Sequence, residues 1–217
     1  TLIDAWASLK SFQPKTGPQD PTDGDSGNPS VDFHGQKRSN ATHQSTTDEQ
    51  AQLARKGRGK EARLCYGLHA LMENRHGLCV QAEITTAHGT TESTAATELL
   101  GRQIDTAEEP PQSVGADKGY HSAEVVGFCR EHEIKPHIAE VKGRKVAGLD
   151  GRTTGSLGYQ TSQKLRKRVE EIFGWAKEIG GLRRTRKRGT ARMGLSGMLI
   201  LSAYNLVRMG KLLGHST

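Results

Sequence analysis

The segment from Lys164 to Lys177 combines one carboxylate with several cations at helical spacing. At roughly 100° per residue, Arg166, Glu170, Phe173 and Lys177 fall on one stripe of a predicted helix. An acid among cations beside a cleft can hold a metal ion next to phosphate. An adjacent apolar stripe can pack on a core; its members are Leu165, Val169, Ile172, Ala176 and Ile179. A solvated amphipathic helix with an i,i+4 pair between Arg166 and Glu170 explains the same pattern.

The positive charge of the chain is concentrated in its last quarter. Residues 1–159 carry 18 basic and 21 acidic side chains, whereas residues 160–217 carry 13 basic and 3 acidic ones, a net charge of +10. Such a surface favours a polyanionic partner, and nucleic acid is the simplest choice.

Most of this excess follows Gly180-Gly181, where a helix is expected to stop. We predict that these cations form a loop that contacts backbone phosphates without reading bases: Arg183, Arg184, Arg186, Lys187 and Arg188. A basic tail that aids solubility or binds anionic lipid has the same composition.

Length and cysteine content restrict the class of protein. A chain of 217 residues is enough for one sizeable core. Its three cysteines form no C-x-x-C pair, so neither a disulfide framework nor a zinc site is indicated, and a cytoplasmic location fits. The longest apolar run, Gly194 to Val207, is shorter than a bilayer requires and predicts a buried helix, so no membrane partner is expected.

The order of predicted elements indicates an α/β fold. A polar, flexible insertion is expected at about 13–60, followed by a hairpin over 64–86, whose second strand should bury Leu78, Val80, Ala82 and Ile84. A helix over 91–100, a strand over 113–116, a helix over 122–132, a strand over 134–139 and the basic helix come next. This order predicts a mixed sheet flanked by helices.

Asp117 directly follows the predicted strand at 113–116. In open α/β sheets, ligands collect at the carboxyl ends of strands. A carboxylate there and another on a covering helix could share Mg²⁺ ions, which stabilise the attacking and leaving oxygens of a phosphoryl displacement. Asp117 could equally cap a turn beside Gly119.

Several of these motifs together resemble the catalytic half of a bacterial insertion-sequence transposase of the DDE type. The likeness begins with Ala116-Asp-Lys-Gly-Tyr120 and, about fifty residues later, Arg166-x3-Glu170-x6-Lys177. It extends to three further motifs and so covers nearly the whole chain: Asn40-Ala-Thr-His-Gln-Ser-Thr-Thr-Asp48, Asp150-Gly-Arg-Thr-Thr154 and Ala203-Tyr-Asn-Leu-Val-Arg208.

The resemblance implies a ribonuclease-H-like fold and three metal-binding acids, of which Asp117 is the second and Glu170 the third. It implies that Arg166 and Lys177 contact DNA near the cleavage site, and that Mg²⁺, as two ions replaceable by Mn²⁺, is the cofactor. The partners it implies are double-stranded DNA, at terminal inverted repeats and target sites, and further copies of the chain in a homo-oligomer. The cellular location it implies is the bacterial cytoplasm, in association with the nucleoid.

The chain departs from the family pattern at two places. Gln163 stands where a tyrosine often precedes the arginine by three residues. Thr1-Leu2-Ile3 matches only the end of the Asp-Gly-Thr-Leu-Ile motif that carries the first acid. Asp4 cannot replace that acid, because it lies an odd number of residues after the motif's aspartate and its side chain is therefore on the opposite face of the strand. We therefore expect residues 1–217 to form a single, N-terminally truncated catalytic domain with one metal ligand fewer and impaired activity.

Two other functions fit the same residues. One is a catalytically inactive transposase remnant that binds DNA through its basic surface. The other is an RNA-binding scaffold, which is disfavoured because no aromatic platform accompanies the basic run.

Overall fold

The computed structural model describes residues 1–15, 32–33, 36–57, 59–87 and 91–214. Within these residues the strands are β1 Leu2–Asp4, β2 Phe12–Pro14, β3 Asp32–Phe33, β4 Gln36–Lys37, β5 His43–Ser45, β6 Gln52–Ala54, β7 Arg63–Met72, β8 Cys79–Thr86, β9 Ser113–Ala116 and β10 Lys135–Ile138. The α-helices are α1 Thr91–Thr106, α2 Ala123–Glu131, α3 Gly151–Thr154, α4 Leu157–Leu165, α5 Val169–Glu178 and α6 Thr190–Leu212. The mixed α/β class expected from the sequence is confirmed.

The longest strand, β7, organises the main sheet. It pairs antiparallel with β1 (Ile3 opposite Tyr66), with β6 (Leu53 opposite Leu64) and with β8. The predicted hairpin is confirmed, with the carboxylate of Glu73 accepting backbone N–H bonds across its turn. Ile3 and Tyr66 are fully buried, so the start of β1 lies over the centre of the core.

A bulge corrects one detail of that hairpin. The register shifts between Leu71 and Met72, because Leu71 pairs with Gln81 whereas Met72 pairs with Cys79. Cys79 packs on the core, while Val80 is 37% exposed. The prediction that Val80 faces the core is therefore wrong, since a bulge reverses the alternation beyond it.

Strands β9 and β10 form a parallel pair joined by α2, so their carboxyl ends share one edge. Ser122 caps α2 by accepting the N–H of Val125. The predicted strand at 113–116 and the helix that begins after Ser122 are both confirmed. A second core under α2, which includes Val126, Cys129 and Ile138, holds this unit together.

The single long basic helix predicted from the sequence is wrong. Helix α4 ends at Leu165, residues Arg166–Arg168 form a 3-10 turn, and α5 begins at Val169. Ile172 and Ala176 are buried as expected, but Ile179 is 71% exposed because the helix ends at Glu178. The buried side chain of Ser162 bonds His137 Nδ1 at 2.7 Å, which fixes α4 on β10 just before the break.

The last helix, α6, buries only one face. Met193, Gly197, Leu201 and Tyr204 pack on the main core, whereas apolar side chains on the opposite face remain exposed. The prediction of a buried helix is therefore wrong for that second face. No helix in the described part of the chain is long and apolar enough to cross a membrane.

Part of the segment expected to be a flexible insertion, at about 13–60, contributes strands. β5 pairs with β2, and β6 is a strand of the main sheet. The expectation is wrong for these strands, whose backbones are held by ladder hydrogen bonds. Residues 16–31, 34–35 and 58 lie outside the described residues.

A buried carboxylate joins this segment to the start of α6. Asp48 is 4% exposed and accepts the hydroxyl of Tyr66, with both carboxylate oxygens at 2.7 Å. The backbone N–H of Gly189 donates to Tyr66 Oη at 2.9 Å and to Asp48 Oδ1 at 3.3 Å. Burial and the hydrogen bond to Asp48 raise the pKa of Tyr66. The amino end of α6 favours this negative charge.

Asp48→Ala is expected to lower the free energy of unfolding by about 1.5–3 kcal/mol, because buried donors lose a charged acceptor. Urea unfolding followed by circular dichroism measures the change. Asp105→Ala removes an exposed acid from the end of α1 and serves as the control. Equal unfolding free energies for the two variants would contradict the role given to Asp48.

Candidate active site and nucleic-acid interface

Asp117 lies where β9 ends, at the edge shared with the carboxyl end of β10. Its side chain is exposed, and its Oδ1 accepts the N–H of Gly119 at 2.8 Å, which caps the 3-10 turn Lys118–Tyr120. The capping role considered from the sequence is therefore confirmed. Only one carboxylate oxygen is used in this bond, which leaves the exposed group able to bind a cation as well.

A second carboxylate, Glu92, lies beside Asp117. A side chain at Gly119 would begin 3.1 Å from Asp117 Oδ1 and 3.3 Å from Glu92 Oε2, so both acids converge on this glycine. Burial and the charges of Glu92 and Asp117 raise the pKa of Tyr120. Glu92 was not predicted from the sequence, because a glutamate in the first turn of a helix is common for dipole reasons alone.

The start of β1 reaches the same region. The α-amino group of Thr1 donates to Leu68 O at 2.6 Å, and Lys177 Nζ donates to Thr1 Oγ1 at 2.7 Å. Burial lowers the pKa of this amino group to about 6, and the charges of Glu92 and Asp117 act in the opposite direction. Thr1, Lys177, Glu92 and Asp117 are therefore electrostatic neighbours.

Arg166 contacts the strand that carries Asp117. Its Cβ atom lies 3.4 Å from where a Gly115 side chain would begin, two residues before Asp117. Arg166 Nε donates to Gln163 Oε1 at 2.8 Å, and Gln163 Nε2 donates to His137 O at 2.6 Å. Gln163 thus holds the arginine against the β9–β10 edge.

Glu170 is exposed in the first turn of α5. Within the described residues it forms no ion pair with Arg166, which bonds Gln163 instead. The i,i+4 pair between Arg166 and Glu170 was expected from regular α-helical spacing, and the 3-10 turn at Arg166–Arg168 interrupts that spacing. The neighbouring Glu171 acts elsewhere: burial raises the pKa of Tyr204, and the charge of Glu171 acts in the same direction.

The described residues contain no group of three or more His, Cys, Asp or Glu side chains placed to hold a metal ion. The structure brings Asp117 and Glu92 together, and it brings Lys177 to Thr1. The approach of Glu170 to Asp117 stays a prediction, supported by the anchoring of the segment on both sides of Glu170.

The basic segment, residues 183–188, is held along the end of β1. The N–H of Asp4 donates to Arg183 O at 3.3 Å, and the N–H of Thr185 donates to Asp4 O at 2.9 Å. Thr185 is buried, and its Oγ1 accepts the N–H of Lys187 at 2.9 Å. The five cations of the segment nevertheless have exposed side chains. The loop predicted after Gly180-Gly181 is therefore an extended segment whose backbone is hydrogen-bonded to β1 and whose cationic side chains face solvent.

An aromatic ring accompanies this segment. The guanidinium carbons of Arg184 and Arg186 lie 5.3 Å and 6.0 Å from the ring centre of Trp6, which is 43% exposed. These are cation–π distances. The statement that no aromatic side chain accompanies the basic run is therefore wrong, because the ring comes from a part of the chain far away in sequence.

A cleft of about 330 Å³ continues the positive surface from Arg183 to Lys177. Lys56, Lys60 and Arg63 also line it, and Arg63 is ion-paired with the acids Asp4 and Glu61 at 2.9 Å and 3.1 Å. Burial lowers the pKa of Lys177, and the charges of Lys56 and Arg183 lower it further. Lys56 and Lys60 were not predicted beside Lys177, because Lys177 is more than a hundred residues later in the chain.

The chain matches a known protein family over most of its length. Residues 34–206 match the family described as "Transposase DDE domain", which is well over half of the chain. No curated protein and no solved structure matches the chain. The match includes Asp117, Arg166, Glu170 and Lys177, and the mixed α/β architecture is the ribonuclease-H-like one of DDE transposases. The chain therefore belongs to the transposase DDE domain family, whose members are enzymes of DNA transposition.

Proposed function

We propose that this domain catalyses Mg²⁺-dependent phosphodiester hydrolysis and strand transfer at the ends of an insertion element. Asp117 and Glu170 are the carboxylates that hold metal in this proposal. The observation that carries it is the position of Asp117, an exposed acid at the shared edge of β9 and β10, with the segment that bears Glu170 anchored on both sides of it.

The anchoring restricts where Glu170 can lie. On one side, Arg166 packs against Gly115 in β9, and on the other, Lys177 bonds Thr1, whose amino group is within electrostatic range of Asp117. Glu170 lies between these two contacts in an ordered helix turn. This supports convergence of the two carboxylates on one pocket.

The donor chemistry of the site fits a hard cation. The family uses divalent metal ions, and carboxylate oxygens are the ligands that Mg²⁺ prefers, with water completing its shell. A bound ion would activate the attacking water and neutralise charge on the leaving oxygen. Arg166 and Lys177 would orient the phosphate, and the Gln163 bond keeps Arg166 in place.

The DNA path in this proposal follows the basic cleft and the basic segment. Lys56, Lys60, Lys177 and Arg183 line the cleft, and the remaining cations follow along the end of β1. Phosphate contacts from such a surface position DNA without specifying sequence. We propose that the duplex carries terminal repeats or target DNA, that the active complex is a homo-oligomer, and that it works at the nucleoid in the bacterial cytoplasm.

The first acid of the resemblance precedes Thr1 by two residues. Because the Thr1 amino group is within range of the charges of Asp117 and Glu92, a carboxylate placed just ahead of it would join the same cluster. We therefore propose that a carboxylate at that position completes the metal site and is needed for strong cleavage.

Nicking of supercoiled DNA with Mg²⁺ or Mn²⁺ tests this proposal. A chain extended by Asp-Gly ahead of Thr1 is expected to nick strongly, whereas the 217-residue chain and an Asn-Gly extension remain feeble. The Asn-Gly chain is the matched control, because it adds the same backbone without the carboxylate. Equal nicking by the two extended chains, or none by the Asp-Gly chain while it still binds DNA, would count against the proposal.

A catalytically inactive, DNA-binding remnant is the second candidate. The basic cleft and basic segment favour it, because neither depends on the metal-binding acids. It predicts salt-sensitive DNA binding and no nicking by any extended chain. Because Trp6 lies beside the arginines, competition between duplex DNA and single-stranded RNA separates both candidates from an RNA-binding scaffold.

A further inference from the structure

Helix α6 carries an exposed apolar row opposite the face that packs on the core. We call it the α6 stripe; it consists of Leu195, Leu199, Leu206 and Met209 on the helix, the polar Ser202 among them, and Leu213 directly after the helix ends. Leu195, Leu199 and Leu206 are 63%, 64% and 71% exposed. At about 1.5 Å of rise per residue, the stripe is roughly 27 Å long. Exposed apolar surfaces of this kind can mark interaction sites.

The spacing of the stripe is that of a coiled-coil seam. Successive members are four, three, four, three and four residues apart, which is the alternation of a and d positions in a heptad repeat. Beside this seam, one flanking position of each heptad holds a small residue: Ser196, Ala203 and Gly210. Small flanking side chains allow a second helix to approach closely.

The charge pattern limits what can cover this surface. The helix has no charged residue between Arg192 and Arg208, although a quarter of the whole chain is charged. Nucleic acid would gain no phosphate contact here, and a charged protein surface would lose hydration without finding an opposite charge. The partner surface must therefore be apolar as well.

Such a matching surface exists on the chain itself. Twelve large apolar side chains are exposed in the described part of the structure, and eight of them lie between residues 195 and 213. The other four are far apart in the sequence: Trp6, Val80, Leu157 and Ile179. A heptad seam is self-complementary, since knobs of one helix fit holes of an identical helix.

We propose that α6 pairs with α6 of a second copy of this chain through the α6 stripe, as an isologous dimer contact. The pairing names the contact surface for the homo-oligomer in the proposed function. It rests on α6 alone and requires neither DNA nor metal.

Sedimentation velocity of the 217-residue chain, without DNA, tests the pairing. At micromolar concentration the chain is expected to sediment as a dimer, and Leu199→Glu/Leu206→Glu as a monomer, because two charges would be buried in the seam. The matched control is Leu157→Glu/Ile179→Glu, which changes two aliphatic side chains outside α6 that are 80% and 71% exposed, and it should remain dimeric. Circular dichroism checks that each variant is folded.

A variant without added charge tests whether the glutamates act by disturbing the structure of α6 itself. Leu199→Ser/Leu206→Ser adds no charge and is expected to raise the dimer dissociation constant at least tenfold. A monomeric unmodified chain, or a dimer that persists in both stripe variants, would overturn the pairing. These outcomes are read without DNA, so they are distinguishable from failure of the nicking assay.

Discussion

Replacing Glu170 by Gln, or Asp117 by Asn, is expected to reduce DNA nicking by the Asp-Gly-extended chain at least about a hundredfold, because a carboxylate ligand to the catalytic ions is lost. The fold should survive both changes. Asparagine at 117 still offers an oxygen to the N–H of Gly119, and Glu170 is exposed. DNA affinity should stay the same or increase, since negative charge is removed beside phosphate.

The matched control for this result is Glu171→Gln. Glu171 is adjacent and is also a carboxylate, but its charge acts on Tyr204 of α6. Initial rates of supercoiled-DNA nicking, together with DNA affinity for each variant, measure the effect. If Glu171→Gln lost as much activity as Glu170→Gln, or if Asp117→Asn cleaved normally, these two residues would not be the metal ligands.

The double variant Arg184→Gln/Arg186→Gln is expected to bind duplex DNA at least a hundredfold more weakly at low salt. Each lost charge-assisted hydrogen bond to phosphate is worth about 1.5–3 kcal/mol, and about 1.4 kcal/mol corresponds to a factor of ten. The dependence of log affinity on log salt should become flatter by about 2, or about 1 for each phosphate contact.

Fluorescence anisotropy over a series of salt concentrations measures both quantities. Lys135→Gln/Lys211→Gln removes the same charge from the amino end of β10 and from the last turn of α6, and it should leave the slope nearly unchanged. Similar losses in the two double variants would show that DNA responds to net charge alone and does not follow the basic segment.

Local patterns predicted much of the fold. The hairpin of β7 and β8, strand β9 and helix α2 were correct because alternation, a capping Ser122 and glycine turns act over a few residues. The predictions were wrong where contacts between residues far apart in sequence determine the local structure. The bulge exposes Val80, and the contact of Ser162 with His137 accompanies a break that separates α4 from α5.

The sequence predicted the residue types of the candidate site, but it did not predict which side chains from other parts of the chain lie beside them. Asp117 was placed at a strand end from sequence, and the structure agrees. Glu92, Lys56 and Trp6 were missed because each reaches the site or the basic surface through tertiary packing, which no spacing rule records. Family motifs mark residues that lie close in sequence, whereas the charges around a site come from strands, helices and loops that are distant in sequence.

The hydrogen bonds between Asp4 and residues 183–185 have a thermodynamic consequence for DNA association. Arginine-rich segments that are unstructured in the free protein lose backbone entropy when they meet nucleic acid, and affinity falls accordingly. Here the backbone is already ordered by β1 and by the buried Thr185. Only side-chain rotamers remain to be restricted, so complex formation should show the small heat-capacity change of a rigid docking event, without the large one that accompanies coupled folding.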